Sequence, residues 1–417
     1  MSQRLYVHHQ RRLVGAISHS AAGAMQFAYD KEWLSAENRF AISVSLPLDK
    51  SFTDHTGHIF FANLLPEGVV REQICKSLKI SANNDFELLK AIGGDCAGAL
   101  TISSSEVAES PSVAPRYEPV TDEQLAHWSL GNQDAFSEIT GHHNVRLSLA
   151  GAQDKLPVHV DGDQILIPVG DAPSTHLLKF ASPHYAHLPE NETFISFLAA
   201  EVGLAAVETR LIKTKKASAA LIKRYDRQES SGQWRRLHQE DFCQALAIPS
   251  SQKYEKEGGP TLKQCAAIIR QFASIPLVDL QRLLNWTLFN LLVGNADAHG
   301  KNLSLLYDSQ GAPTLAPFYD LVCTRTYERI SREMAMSLGG AWDPDQVHTQ
   351  RLEQLAVELD FRSKLVLEQA QMQIDNVLAA LPVATSKFAS QFGDSPVLER
   401  LPLVIRKCTR RLKSQLK

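Results

Sequence analysis

Gly294-Asn-Ala-Asp-Ala-His-Gly-Lys-Asn-Leu303 decides how this 417-residue chain is read. It sets Asp297 five residues ahead of Asn302, and Phe318-Tyr-Asp320 follows after a short apolar run. A carboxylate, an amide five positions on and a second carboxylate beyond a hairpin make the donor set of phosphoryl transfer. The first Asp orients and deprotonates a hydroxyl nucleophile, while the Asn and the second Asp hold Mg²⁺ on nucleotide phosphates. A hard cation takes oxygen ligands, which suits Asn and Asp where Cys or His would not serve. Taken alone, the same stretch also reads as a polar loop, because Asn, Asp and Gly favour turns.

Working outward, Leu283-Leu-Asn-Trp-Thr-Leu-Phe-Asn-Leu-Leu-Val293 carries apolar residues at helical spacing and predicts a buried helix that aims the loop. Further upstream, Lys155-Leu-Pro-Val-His-Val160 alternates, Asp161-Gly-Asp163 is a hairpin turn and Gln164-Ile-Leu-Ile167 returns. His176-Leu-Leu-Lys-Phe180, Thr209-Arg-Leu-Ile-Lys213 and Ala219-Ala-Leu-Ile-Lys-Arg-Tyr225 read as further strands. Helical spacing over residues 190–202 ends at Gly203. Thr121-Asp-Glu-Gln124 is a capping box opening a helix with Leu125 and Trp128.

The first 102 residues show short strand patterns, Arg4-Leu-Tyr-Val7 and Ala41-Ile-Ser-Val-Ser45 among them, with a helical run over 66–80. Residues 103–119 are rich in Ser, Pro, Ala and Glu and read as a linker or exposed loop. Beyond the strands the remainder reads as helical, apart from the polar loop and hairpin near 294–320. The expected fold is α+β and bilobal, protein-kinase-like, with a small N-terminal β-rich subdomain and a mainly helical C-terminal lobe. Its expected divisions are an N-terminal domain over 1–102, a linker over 103–120, a nucleotide-binding lobe over 121–239 and a helical catalytic lobe over 240–417.

A net charge of −3 argues against coating nucleic acid over the whole surface but leaves room for a local basic patch. Arg406-Lys-Cys-Thr-Arg-Arg-Leu-Lys413 is one: it reads as a solvated helix end complementing the dipole, or alternatively as a DNA contact. The six cysteines lack metal-ligand spacing and read as small apolar residues in a reducing cytosol. Residues 1–7 are polar, without the apolar core of a signal peptide, and no run suits a membrane span. A cytoplasmic protein is expected.

Other candidates carry chemistry of their own. Ala150, Gly151 and Ala152 are small enough for backbone N–H groups to approach phosphate, and Gln153 and Lys155 add polar reach. An ordinary hairpin turn is the competing reading. Lys179 lies among apolar neighbours, where its ammonium either meets phosphates, steadied by Glu192 or Glu201, or faces solvent from an edge strand. Glu240, Asp241 and Phe242 fall where a lobe-joining segment presents backbone to adenine, though Gln-Glu-Asp also suits a helix N-terminus. His299 is either a hydrogen-bonding residue of the loop or a proton shuttle.

In this order the pieces resemble the HipA family of bacterial Ser/Thr kinases, the toxins of HipBA-type toxin–antitoxin modules. The resemblance rests on Phe60-Phe-Ala-Asn-Leu-Leu-Pro-Glu-Gly68, Gly93-Gly-Asp-Cys-Ala-Gly-Ala-Leu100, Ser148-Leu-Ala-Gly-Ala-Gln-Asp-Lys155 and Asn295-Ala-Asp-Ala-His-Gly-Lys-Asn302. It implies Asp297 as catalytic base and Asn302 and Asp320 as Mg²⁺ ligands. It implies ATP held by Ala150, Gly151, Ala152, Gln153, Asp154, Lys155, Lys179, Glu240, Asp241 and Phe242, with His299, Lys301, Asn302, Tyr319 and Asp320. Ser148 matches the family's autophosphorylation site, where modification accompanies ejection of the nucleotide loop and inactivation. The resemblance further implies a protein substrate such as an aminoacyl-tRNA synthetase, notably the glutamyl enzyme, with arrest of translation and growth. It also implies a small helix-turn-helix antitoxin (HipB-like) as partner, with DNA reached mainly through it. A kinase of small molecules and a non-catalytic co-repressor docking a DNA-bound antitoxin are the rival readings.

Overall fold

Alternating apolar residues at the start of the chain form an antiparallel sheet in the computed structural model of the protein. Strands Arg4–His9, Arg12–His19 and Met25–Tyr29 run as a meander, and Leu100–Ser103 returns beside the first. Leu5, Val7, Val14, Ile17 and Phe27 pack on helices Thr56–Ala62, Gly68–Leu78 and Asp85–Ile92 through Phe60, Phe61, Ile74, Phe86 and Leu89. The structure describes residues 3–19, 24–49, 52, 55–108, 116–130, 155–170, 172–182, 184–214 and 217–416. It divides into two compact units, one of 1–179, 224–251 and 304–313, the other of 180–223, 252–303 and 314–417.

The first unit contains a second antiparallel set, in which Arg116–Pro119, Gln164–Val169, Lys155–Asp161 and His176–Lys179 are successive neighbours. Its outermost strand comes from the stretch read as a linker. Helix Asp122–Trp128 begins with the anticipated capping box, Thr121 and Gln124 bonding each other's backbone. Two expectations fail here. Ala41-Ile-Ser-Val-Ser45 is a turn and not a strand: Leu46 N donates to Ser43 O, while the Ser43 hydroxyl and Val44 N donate to the Glu240 carboxylate. Residues 227–241 are not helical either. Arg227–Ser230 and Gln233–Arg236 form a hairpin, and Gln239–Asp241 pairs with Ser304–Tyr307. Ser231 and Gly232 turn the hairpin with φ of 52° and 73°, the left-handed pair that tight hairpins require.

A buried charge network ties this region to the turn at 93–100. Asp226 Oδ2 accepts from Arg224 Nη2 at 2.7 Å, Arg227 Nη1 at 2.9 Å and Gly98 N at 2.9 Å, while Arg227 Nη2 reaches Asp95 at 3.0 Å. Arg236 donates to the carbonyls of Cys96, Gly98 and Leu100. Gly98 takes φ +78°, and a Cβ there would lie 2.9 Å from Gln239 N. Burial alone would raise the Asp226 carboxyl, but the Arg224 and Arg227 guanidiniums overcome this and hold it below the usual carboxylate range.

The second unit is built on helix Pro276–Val293, which packs against helices Leu262–Phe272, Ser363–Phe392 and Val397–Gln415. Leu283, Leu284, Leu288, Leu291 and Leu292 are all buried, as the spacing predicts. Phe194 and Phe197 of helix Leu188–Glu201 meet Phe388 and Phe392 edge-on. Strands Thr209–Lys213 and Ser218–Lys223 form a hairpin. Residues 321–348, read as helical, are turns and short 3₁₀ segments instead. All six cysteines are buried, and none is in a disulfide. Among the described residues no helix is long and apolar enough to cross a membrane.

Removing one member of a buried ion network leaves its partners' charges uncompensated, which costs about 3–5 kcal/mol. Asp226→Ala is therefore expected to lower the urea midpoint sharply, whereas Lys364→Ala, at the exposed pair with Glu368, leaves it in place. A mild Asp226→Ala phenotype would contradict this account of the turn.

Glu240 yields a pH prediction. Burial pushes its carboxyl from 4.5 up to about 7, against hydrogen bonds from Ser43, Tyr307 and Val44. A carboxyl raised on folding binds its proton more tightly in the folded state, so stability falls as pH rises from 4.5 towards 7. The loss is on the order of 3 kcal/mol. Thermal midpoints from pH 4.5 to 8 should decline less for Glu240→Gln than for the wild type; parallel curves would contradict the assignment.

Candidate active site

Helix Pro276–Val293 ends at Gly294, whose φ of 73° is the left-handed cap and whose N–H reaches Asn290 O. A Cβ at Gly294 would lie 2.9 Å from the Arg325 side chain, which would have to shift to admit one. Beyond the cap, the loop bonds to its surroundings almost atom by atom. Asn295 N donates to Asn290 O at 2.9 Å, and Asn295 Nδ2 to Asn290 Oδ1 at 2.8 Å. Asn295 Oδ1 accepts from Asp297 N at 3.0 Å. Thr324 Oγ1 accepts from Ala296 N at 2.8 Å and donates to Gly294 O at 3.1 Å. Ala335 N donates to Ala296 O at 2.9 Å.

Within the loop, His299 N donates to Asp297 O at 2.9 Å and Asn302 N to His299 O at 2.9 Å, closing the 3₁₀ turn Gly300–Asn302. Asn302 Nδ2 also donates to Asp297 O at 2.8 Å. Asp297, on this fixed backbone, is itself exposed, and its Oδ1 accepts the Tyr254 hydroxyl at 2.7 Å. Tyr319 donates to Lys301 O at 2.6 Å. Asp320 has φ of 59°, a left-handed conformation that costs a non-glycine residue about 1–3 kcal/mol. The flanking Phe318 is anchored by Phe318 N to Ala205 O and Val207 N to Phe318 O, each at 2.8 Å. Asp297, His299, Lys301, Asn302 and Tyr319 thus form one bonded group, and Asp320 adjoins it in sequence.

The donor set suits a hard cation. Asn302 commits its Nδ2 hydrogen to Asp297 O, which leaves Oδ1 as the amide's metal-binding end, and Asp320 supplies carboxylate oxygen.

In the other unit, Lys155 and Lys179 stand directly opposite each other on neighbouring strands. Lys179 is buried, so the solvent-facing reading fails. Of its two candidate acidic companions, Glu201 is bonded to Lys387 at 2.6 Å and Glu192 is buried on its helix. The side chains of the 240–242 segment serve the fold. Glu240 accepts from Ser43, Val44 and Tyr307, Asp241 caps the short helix Phe242–Ala245, and Phe242 is fully buried. Ser148 and the loop residues Ala150, Gly151, Ala152, Gln153 and Asp154 lie outside the described residues. The residues that sequence reasoning missed are Tyr254, Thr324 and Ala335. None carries a local signal, since each acts on the loop from a distant part of the chain.

Comparison with known proteins identifies the family. A family model described as HipA-like C-terminal domain matches residues 147–384, and one described as HipA N-terminal domain matches residues 5–103. The chain is 40% identical over 334 residues to the putative kinase Y4mE of Sinorhizobium fredii, covering 79% of each. It is 32% identical over 358 residues to the serine/threonine-protein kinase toxin HipA of Shewanella oneidensis, covering 82% of this chain and 79% of that protein. A solved structure of the Shewanella oneidensis HipA, HipB and operator DNA complex superposes with a TM-score of 0.85 at 27% identity, over 98% of this chain and 97% of that one. The α+β, kinase-like fold expected from the sequence is the fold of that protein. With both of the family's domains matched along its length, the chain belongs to the HipA family.

Proposed function

We propose that the chain is a kinase toxin that transfers the γ-phosphate of ATP to a Ser or Thr hydroxyl of a protein. The observation that carries this reading is the loop at 294–302: an exposed Asp297 carboxylate on a backbone hydrogen-bonded at Asn295, Ala296, Asp297, His299 and Asn302, with the Asn302 amide fastened to Asp297. Preorganised groups of this kind need no rearrangement when charge develops.

Each unit is assigned its own part. In one, Asp297 accepts the proton of the attacking hydroxyl at Oδ2, since Oδ1 is engaged by Tyr254. Asn302 and Asp320 would hold Mg²⁺, which when bound neutralises charge on the phosphates. His299, Lys301 and Tyr319 shape the surrounding backbone. In the other unit, Lys155 and Lys179 bring like charges directly across a ladder, a pairing that a shared anion stabilises. Nucleotide phosphates supply that anion in this reading, together with the backbone of Ala150, Gly151, Ala152, Gln153 and Asp154. Glu240, Asp241 and Phe242 would offer backbone, not side chains, to the base. Ser148 is the proposed site of inactivating autophosphorylation.

The partner proposed is a small helix-turn-helix antitoxin through which DNA is reached. The solved Shewanella complex of HipA, HipB and operator DNA supports this assignment. An aminoacyl-tRNA synthetase such as the glutamyl enzyme is the proposed substrate, by family resemblance. Its phosphorylation in the cytoplasm would halt translation and growth.

Asp297→Asn keeps the volume and removes proton acceptance, so transfer from radiolabelled ATP should fall on the order of a hundredfold or more with the fold intact. Asp320→Asn should instead raise the concentrations of Mg²⁺ and ATP needed for half-maximal rate. Near-normal transfer by Asp297→Asn would overturn the role given to the loop. Absence of transfer by the wild type, with an antitoxin still captured, would favour the co-repressor.

A further inference from the structure

We infer that Tyr254 is a positioning residue for the base Asp297, an inference that rests on the phosphoryl-transfer reading above. Its hydroxyl donates to Asp297 Oδ1 at 2.7 Å across 43 residues of sequence. The contact lies at the surface, where an isolated hydrogen bond would contribute little. What distinguishes it is the framework that presents the phenol.

Tyr254 sits beside the 3₁₀ turn Glu255–Glu257, and its carbonyl accepts from Glu257 N and Gly259 N, each at 2.9 Å. The next residue, Glu255, donates its N–H to Ala335 O at 3.0 Å, and Ala335 N donates to Ala296 O at 2.9 Å. One residue therefore spans from the neighbour of Tyr254 to the neighbour of Asp297. The Glu255 carboxylate fastens the same bridge, accepting from Ser337 N at 2.7 Å and Ser337 Oγ at 2.9 Å. On the other side, Gly300 lies so close to Pro260 that any Cβ there would collide with the proline ring. The phenol ring stands edge-on to buried His299, with centroids 5.2 Å apart. These contacts set the ring by way of the same loop that carries the base.

The chemical consequence concerns rotamers. An exposed aspartate samples several side-chain orientations, and only some direct an oxygen at an incoming hydroxyl. With Oδ1 held by Tyr254, the carboxylate is confined to orientations that present Oδ2. The tyrosine touches neither the phosphates nor the reacting oxygen. Its effect is on how often the base is correctly aimed, and so on the rate at saturation and not on nucleotide affinity.

The test is Tyr254→Phe, which removes one hydroxyl and keeps the ring against His299. Transfer from radiolabelled ATP to the chain itself and to bacterial lysate proteins is measured as an initial rate. At saturating ATP the rate should fall about tenfold. The ATP concentration for half-maximal rate should stay within about twofold, since the phosphate contacts are untouched. The thermal midpoint should not move, and adding Tyr254→Phe to Asp297→Asn should cause no further loss. If Asp297→Asn is inactive while Tyr254→Phe keeps or exceeds the wild-type rate, the positioning role is overturned and the phosphoryl-transfer reading stands. If Asp297→Asn itself transfers normally, that reading fails and takes this one with it. A drop in thermal midpoint or ATP affinity matching the loss of rate would make Tyr254 merely structural, which also overturns the assignment.

Discussion

Thr324 Oγ1 accepts from Ala296 N and donates to Gly294 O, so one hydroxyl clamps both sides of Asn295. The remaining features of the loop depend on that clamp. Helix Pro276–Val293 is packed on several sides by other helices and provides a fixed origin. The left-handed turn at Gly294 then sets the direction of exit, and Asn290 and Asn295 bond each other through backbone and side chain. An exposed loop of this composition would ordinarily exchange among conformations. Here the amides of Ala296, Asp297, His299 and Asn302 each find an acceptor within the fold, and the carboxylate assigned to the chemistry is left at the surface.

The other unit applies the same physics to a different end. Asp95 and Asp226 neutralise Arg224 and Arg227 inside the fold, and Arg236 collects carbonyls from the turn at 96–100. Buried charge of this density is costly unless every group is paired. It therefore specifies one geometry for the turn more than it adds stability. Glu240 extends this logic to Ser43, Val44 and Tyr307, joining parts of the chain nearly two hundred residues apart.

What was legible in the sequence is what depends on local chemistry. The helix before the loop, the capping box at Thr121, the hairpin through Asp161-Gly-Asp163 and the spacing of Asp297 and Asn302 all rest on neighbours within a few residues. Where distant groups decide, the reading failed. Residues 41–45 read as a strand, yet Ser43 and Val44 bond the Glu240 carboxylate, Ser45 the Gln244 carbonyl, and the Ile42 carbonyl meets His238. The strands between 227 and 241 were missed because charged and polar residues fill them, as a hairpin tied down by buried Arg227 and half-buried Arg236 permits. Tyr254 and Thr324 lie in stretches without periodicity, and only folding brings their hydroxyls to the loop. Lys179 had two readings from sequence, and its burial decided against the solvent-facing one.

Preorganisation of the loop before any ligand arrives is the central claim, and amide hydrogen exchange of the nucleotide-free protein tests it most directly. The amides of Ala296, Asp297, His299 and Asn302 all donate hydrogen bonds inside the loop or to Thr324. Exchange there should be slowed to a degree comparable with the last turns of helix Pro276–Val293. Exchange at the speed of an unstructured surface segment, with protection appearing only on addition of ATP and Mg²⁺, would contradict the account.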